Sequence, residues 1–158
     1  MTVSRLLSKE FVVLPLHAHD AESVLRELLS TLKEAGIIDS PDSCLQTILK
    51  RERRMSTAVG KGIALPHGLS SEIDDVQVVL GISIDGIEFR AVDNLLCHIF
   101  ILLVSPESQP EKHLKLLSRF TKLLRDGVLR SALMEARTPD QVLELLSERE
   151  NLADEDSL

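Results

Sequence analysis

Aromatic residues are scarce in this chain of 158 residues, which has four phenylalanines and neither tryptophan nor tyrosine. The chain therefore has very few aromatic side chains on which bases or sugars could stack. A basic surface is also missing, because the formal net charge is −7, whereas nucleic-acid-binding proteins normally carry a positive footprint. Both scarcities argue against a nucleic-acid partner.

Long apolar runs are absent as well. No stretch approaches the ~20 apolar residues that a membrane-spanning helix needs, and the basic N-terminus is not followed by the apolar segment of a signal peptide. The only cysteines, Cys44 and Cys97, lie among apolar neighbours, which is typical of small buried side chains in a reducing compartment. We expect a cytoplasmic protein without a membrane segment.

What remains is the composition of one globular domain, with 44% apolar and 27% charged residues. Apolar and β-branched runs predict strands at 11–14, 63–65, 76–82 and 95–104. Apolar residues at helical spacing predict helices at 21–35, 41–54, 110–125, 129–136 and 139–147. The alternation predicts an α/β layered domain. Because residues 95–104 are apolar on both faces, we expect a central strand there, covered by helices on each side.

Local signals suggest where several elements begin and end. Asp20 and Ser40 have the side chains of helix N-caps, and Pro41 follows Ser40 at the first helical position. The pair Asp85-Gly86 predicts a turn after the strand at 76–82. The acidic C-terminal end, which includes Glu150, is expected to be a solvated, frayed tail.

The segment from Ser56 to Gly68 carries the strongest functional signal. Its three glycines allow tight turns and close backbone approach, and Pro66 restricts the chain just before His67. The short apolar run at 63–65 would deliver His67 to a loop at the end of a buried strand. His67 is then either presented to a partner or merely fills space beside a turn.

Two more residues are candidates for the same site. His113 falls near the start of a predicted helix, where backbone N–H groups and the helix dipole favour an anion, although a histidine on an apolar helix face is often a core residue. Arg51, at the end of another helix, can bind an anion or simply suit the helix C-terminus. We expect His17 and His19 to be surface loop residues and His98 to serve packing.

Arg51-Glu52, Ser56-Thr57 and the run from Gly60 through Gly62-Ile-Ala-Leu-Pro-His67-Gly68 resemble the signature of type-2 enzyme IIA domains of the bacterial phosphotransferase system. This is the fructose/mannitol and nitrogen-regulatory class. The similarity continues through 91–94, 102–104 and His113-Leu114 and covers nearly the whole chain. It implies a type-2 enzyme IIA domain at 1–150, followed by an acidic, flexible tail at 151–158. The implied fold is α/β, a central mixed β-sheet with helices on both faces in a single domain.

The resemblance also implies roles for the candidate residues. His67 matches the phosphorylated histidine, with Nε2 as the attacking atom; His113 matches the second histidine of the site, and Arg51 the arginine near the phosphoryl group. These roles suit the chemistry, because imidazole is a nucleophile and phosphoryl transfer mainly needs in-line positioning and charge stabilisation on the equatorial oxygens. No cofactor and no metal is implied, since donor and acceptor are protein side chains.

The resemblance further implies the partners. Family members accept a phosphoryl group from HPr or its nitrogen-branch equivalent. They pass it to a cysteine of a IIB protein, or their phosphorylation state controls binding to regulatory target proteins. The sequence contains neither a IIB cysteine loop nor a membrane IIC segment. We therefore favour the nitrogen-regulatory role over sugar uptake, with both kept open.

Overall fold

A β-sheet lies at the centre of the protein and helices pack around it. The structure is a computed structural model that describes residues 2–156, with the side chains of residues 2–152. The strands are β1 (Val12–Val13), β2 (Ala58–Gly60), β3 (Ile63–Ala64), β4 (His67–Leu69), β5 (Gln77–Ile87) and β6 (Cys97–Ser105). The helices are α1 (Val3–Leu6), α2 (Ala21–Glu34), α3 (Pro41–Arg54), α4 (Pro110–Leu123), α5 (Gly127–Glu135) and α6 (Pro139–Asp156). A short 3-10 helix, Lys9–Phe11, precedes β1.

The sheet is mixed, as expected. Its strands lie in the order β1-β5-β6-β3-β2, and β4 also pairs with β6. The central pair, β5 and β6, is antiparallel, whereas β1 runs parallel to β5, and both β3 and β4 run parallel to β6. Ile63 of β3 lies opposite Ile99, and His67 of β4 lies opposite Leu103. β3 and β4 therefore follow one another along the same edge of β6.

Strand β6 is the centre of the core. It is buried at eight of its nine residues, and because successive side chains of a strand point to opposite faces, both of its faces must be covered. Helices α2 and α5 pack against β5, while α3 packs against β4 and α4 against β6. The predicted central strand with helices on each side is confirmed.

The starts of α2 and α3 are held in different ways. Asp20 accepts a hydrogen bond from the backbone N–H of Ser23 at 2.8 Å, which is the predicted N-cap. Ser40 is the N-cap residue of α3 and Pro41 follows it, as predicted, but the Ser40 side chain makes no capping hydrogen bond. Instead Glu72 accepts from the backbone N–H groups of Asp39 and Ser40, at 2.9 and 3.2 Å. A distant carboxylate thus holds the entry to α3.

The turn predicted at Asp85-Gly86 is wrong. Strand β5 continues through both residues to Ile87, which pairs with Cys97. The signal marks a β-bulge instead, because the register against β6 shifts between Ile82 and Ile87 and Gly86 has a φ of +87°. Pairing with the long strand β6 therefore outweighs the local preference for a turn.

The C-terminal helix is longer than its sequence predicts. The pattern predicts a helix ending at residue 147, but α6 ends at Asp156 and so passes the predicted domain boundary at 150. Glu150 is 4% exposed rather than solvated, because its carboxylate accepts from the backbone N–H groups of Val3 and Ser4 at 2.7 and 2.9 Å. Residues 157–158 of the predicted flexible tail lie outside the described residues, and its flexibility stays a prediction.

The cysteines are buried and free, as their apolar neighbours predict. Burial is the main cause that raises the pKa of both Cys44 and Cys97 to about 11. At neutral pH both side chains are therefore protonated thiols, which are weak nucleophiles. In the part of the chain that the structure describes, no helix combines the length and apolar character needed to cross a membrane.

Candidate functional site

His67 is the first residue of β4, where the chain rejoins the edge of β6 after Pro66. The sequence predicted a loop here, but β3 and β4 are interrupted only by Leu65 and Pro66, and Pro66 accepts from the backbone N–H of Leu103 at 3.0 Å. The half-buried His67 ring has its Nδ1 3.0 Å from the carbonyl oxygen of Leu65. Because a carbonyl oxygen only accepts, Nδ1 carries the proton. In the neutral ring Nε2 therefore keeps a free lone pair.

A line of hydrogen bonds connects this carbonyl group to helix α3. The backbone N–H of Leu65 donates to the Thr57 carbonyl oxygen at 3.0 Å. Thr57 in turn donates through its backbone N–H to Glu52 Oε2 at 3.1 Å and through its hydroxyl to Glu52 Oε1. The end of α3 thereby fixes the strand that orients the His67 imidazole.

Gly68 brings β4 and α3 into direct contact. A Cβ at this position would lie 2.5 Å from Thr47 Oγ1 and 2.6 Å from Ile48 Cγ1, both in α3. Thr47 Oγ1 also accepts from the backbone N–H of Leu69 at 3.0 Å. Only glycine allows this approach, so the residue next to His67 sets the distance between the strand and the helix.

His113 lies near the start of α4, four residues after Gln109, whose carbonyl oxygen accepts from its backbone N–H at 3.2 Å. Its Nδ1 is 2.5 Å from Oγ of Ser105, the last residue of β6. Burial, with a smaller contribution from the neighbouring His67, holds the pKa of His113 below its usual value of 6.5. A neutral imidazole is therefore favoured at physiological pH.

The structure brings the two predicted histidines together. Their ring centroids are 5.1 Å apart, with an interplanar angle of 66°. Each ring has its Nδ1 bound within its own surroundings, His67 to a carbonyl group and His113 to a hydroxyl group. Among residues 2–156, neither Nε2 atom has a hydrogen-bond partner. The Nε2 atom of each ring is thus available to a ligand.

Arg51 lies at the predicted helix end but is not shown at the histidines. Its Nη1 donates to the carbonyl oxygen of Met55 at 3.0 Å, just beyond the end of α3. Within the described residues it makes no hydrogen bond to His67 or His113. Among the described residues, Arg51 forms no ion pair, and neither do the neighbouring cations of α3, which are Lys50, Arg53 and Arg54. Because α3 packs on β4, the guanidinium is on a helix that contacts the strand beginning at His67.

The remaining histidines lie in other surroundings. His17 and His19 are exposed, as expected of surface loop residues. His98 is half-buried in β6, and its Nδ1 is 2.9 Å from the Ser83 carbonyl oxygen, which agrees with a packing role. No cluster of three or more histidine, cysteine or acidic side chains that could hold a metal ion occurs in the described part of the chain.

Sequence reasoning missed two residues that support the site. Glu52 stands in the motif without an assigned role, although it holds Thr57. The sequence marks Ser105 only as the end of a strand before Pro106, because nothing local to it indicates that His113, eight residues later, turns back onto its hydroxyl group. The Ser105 contact depends on how α4 packs on β6.

Comparison with known proteins places this arrangement in a family. The family model described as "Phosphoenolpyruvate-dependent sugar phosphotransferase system, EIIA 2" matches residues 5–149. The chain is 28% identical over 150 residues to the PTS system fructose-specific EIIABC component of Bacillus subtilis; these are 95% of this chain but only 24% of that longer protein. It is also 28% identical over 158 residues to the nitrogen regulatory protein of Escherichia coli, covering 98% of this chain and 95% of that relative.

A solved structure shows the same fold. The crystal structure of the nitrogen regulatory protein IIA-Ntr from Neisseria meningitidis aligns with a TM-score of 0.84 at 22% identity, covering 91% of this chain and 98% of that one. At this identity the likeness concerns the fold, whereas the family model covers nearly the whole chain and includes His67 and His113. The chain belongs to the type-2 EIIA family and is a phosphotransferase component of the phosphoenolpyruvate-dependent phosphotransferase system, as the sequence motif predicted.

Proposed function

We propose that His67 Nε2 is the atom that carries the phosphoryl group. The observation that supports this assignment is the hydrogen bond of 3.0 Å between His67 Nδ1 and the Leu65 carbonyl oxygen. A proton held on Nδ1 leaves the lone pair of the neutral ring on Nε2, and a nucleophile needs that lone pair. The donor is the phosphohistidine of HPr or of its nitrogen-branch equivalent.

The transfer of the phosphoryl group from the donor histidine to His67 needs no proton donor. The His67 Nε2–P bond forms while the N–P bond of the donor imidazole breaks, and the departing ring keeps the bonding electron pair. His67 then carries both Nδ1–H and the phosphoryl group, so positive charge develops on its ring. The Leu65 carbonyl oxygen stabilises that charge because the Nδ1–H hydrogen bond strengthens as the ring becomes cationic.

We assign Arg51 to the equatorial oxygens of the phosphoryl group. Its guanidinium has five N–H donors, and the hydrogen bond to Met55 uses Nη1 only. No carboxylate in the described residues holds it by an ion pair. This half-buried side chain therefore keeps N–H donors with which it can make a two-pronged cationic contact to a phosphoryl group on His67.

Of the two possible roles of the phosphorylated protein, regulation and sugar uptake, we favour regulation. In this role the phosphorylation state of His67 controls binding to target proteins, and the supporting relative is the nitrogen regulatory protein that the chain matches along almost its whole length. The alternative is sugar uptake, in which the phosphoryl group passes to a IIB cysteine; the fructose-specific EIIABC relative supports it. We place either exchange in the cytoplasm, where free thiols such as Cys44 and Cys97 persist.

The test is phosphorylation from phosphoenolpyruvate through enzyme I and either HPr or its nitrogen-branch equivalent. We expect an acid-labile, alkali-stable adduct that disappears in His67→Ala. The matched control is His98→Ala, because His98 is also half-buried with Nδ1 on a backbone carbonyl, and its loss should leave the adduct in place. A wild-type protein that stays unmodified with both donors would refute the proposal.

A second experiment distinguishes the regulatory role from sugar uptake. Phosphorylated protein is mixed with fructose-type and mannitol-type IIB proteins. Rapid transfer to a IIB cysteine would support sugar uptake, whereas a phosphoryl group that remains on His67 supports the regulatory role. Long-range ¹⁵N spectra of the phosphorylated protein identify the modified atom, and phosphorylation of Nδ1 would contradict the assignment to Nε2.

A further inference from the structure

Ser105 has a buried hydroxyl group whose position is fixed by two strands. The residue is 1% exposed at the end of β6, lies opposite Leu69 of β4, and its carbonyl oxygen accepts from the backbone N–H of Ser70 at 3.0 Å. Its Oγ is 2.5 Å from His113 Nδ1 and has no other hydrogen-bond partner among residues 2–156. Among the described residues, His113 is therefore the one hydrogen-bond partner of this hydroxyl group.

The direction of the hydrogen bond between Ser105 and His113 follows from which donors and acceptors would be left without a partner. If His113 Nδ1 were the donor, the Ser105 O–H would be a buried donor without an acceptor, which is unfavourable. If Ser105 donates, both atoms are satisfied and the neutral imidazole carries its proton on Nε2. We propose that Ser105 is a positioning residue, which donates its O–H to His113 Nδ1 and so keeps His113 as the Nε2–H tautomer beside His67.

The two neighbouring imidazoles then have opposite tautomers. A carbonyl oxygen holds the proton of His67 on Nδ1, so its Nε2 is a nucleophile, while a hydroxyl group holds His113 in the form whose Nε2–H is a donor. The ring centroids are 5.1 Å apart, so in this role the His113 Nε2–H is the group that donates to an oxygen of a phosphoryl group on His67 Nε2. This role rests on the proposed function; the tautomer of His113 does not.

The unphosphorylated wild-type protein provides the first test. Long-range ¹H–¹⁵N spectra at neutral pH distinguish a protonated ring nitrogen from one that accepts a hydrogen bond. We expect His113 to show one tautomer, with the proton on Nε2, and His67 to show the other. A proton on His113 Nδ1, or rapid exchange between the two forms, would overturn the proposal whether or not any variant folds.

Variants test the consequence for phosphorylation. Ser105→Ala should mix the tautomers of His113 and slow phosphorylation of His67 by roughly three- to tenfold, the range expected for one hydrogen bond. Ser105→Thr keeps the hydroxyl group and should restore both the spectrum and most of the rate. The matched control is Ser83→Ala, another buried serine, 4% exposed, whose hydroxyl serves Gly86 in the β5 bulge; it should leave the rate unchanged.

A double-mutant cycle separates positioning from general structural support. In a His113→Ala background, Ser105→Ala should cause no further loss of rate, because the serine acts only through that histidine. An equal loss in both backgrounds would overturn the proposal. If His67 takes up no phosphoryl group from either donor, the proposed function fails, while the wild-type spectrum still decides whether Ser105 sets the tautomer.

Discussion

Replacing Gly68 with alanine tests whether the contact between β4 and α3 sets the position of His67. The added Cβ would lie 2.5 Å from Thr47 Oγ1, 2.6 Å from Ile48 Cγ1 and 3.1 Å from the Ile48 backbone nitrogen. Non-bonded carbon atoms prefer separations of about 3.5–4.0 Å. The nearest obstacles include main chain, which cannot turn away as a side-chain tip can. The strand and the helix must therefore separate by about 1 Å.

The cost has two parts. Overpacking of a core costs about 1–3 kcal/mol, and separation also weakens the hydrogen bond between Leu69 and Thr47, which contributes about 0.5–1.5 kcal/mol. We expect a loss of about 2–4 kcal/mol in the free energy of unfolding, or a fall in Tm of roughly 5–15 °C for a chain of this size. A displacement of about 1 Å at the neighbouring His67 can slow transfer by up to ~100-fold.

The assay combines thermal unfolding with the rate of phosphorylation from the active phosphodonor at a temperature where the variant is folded. Gly127→Ala is the control, because a Cβ there meets only the tip of Arg130, with Nη2 at 3.3 Å. Its stability should be unchanged or raised by about 0.4–1 kcal/mol. Wild-type values of both Tm and rate in Gly68→Ala would refute the argument.

Three further predictions concern charged groups. Arg51→Ala should slow phosphorylation roughly tenfold or more with little change in Tm; a large loss of Tm at full rate would assign it a structural role. Glu150→Ala removes the acceptor for the buried Val3 amide and the partly buried Ser4 amide of α1 and should cost about 2–4 kcal/mol in urea unfolding, whereas the exposed Glu148→Ala should cost almost nothing. Because burial lowers the pKa of His113 below 6.5, the unfolded chain binds its proton more readily. Wild-type stability should therefore fall as the pH drops below about 6.5, more steeply than in His113→Gln when urea unfolding is compared at about pH 7.5 and about pH 5.5; equal slopes would contradict this.

Elements governed by neighbours in sequence could be predicted. The Asp20 cap needs only Ser23, three residues away. The central strand was predicted because residues 95–104 are apolar on both faces, which requires cover on both sides wherever the strand lies. In both cases the physical cause is contained in a short stretch of chain, so its pattern is visible before folding.

Elements governed by distant residues could not be predicted. Ser40 has the side chain of a cap, but the carboxylate of Glu72, 32 residues away, holds its backbone N–H. Glu150 belongs to an acidic segment that suggests solvent exposure, yet its hydrogen bond to Val3 spans 147 residues. Nothing near either position indicates its partner, because contacts of this range exist only after the helices have packed on the sheet.

The family, the α/β architecture and the candidates His67, His113 and Arg51 are already contained in the sequence, because the glycine-proline-histidine motif and the periodic apolar residues are local features. Which ring nitrogen carries the proton depends instead on the folded backbone around each histidine and on the packing of neighbouring elements. The Leu65 carbonyl group and the Ser105 hydroxyl group reach the two imidazoles through strand pairing and the packing of α4 on β6. A ring nitrogen is protonated or free according to the atom that faces it, so the chemistry of this pair exists only in the folded protein.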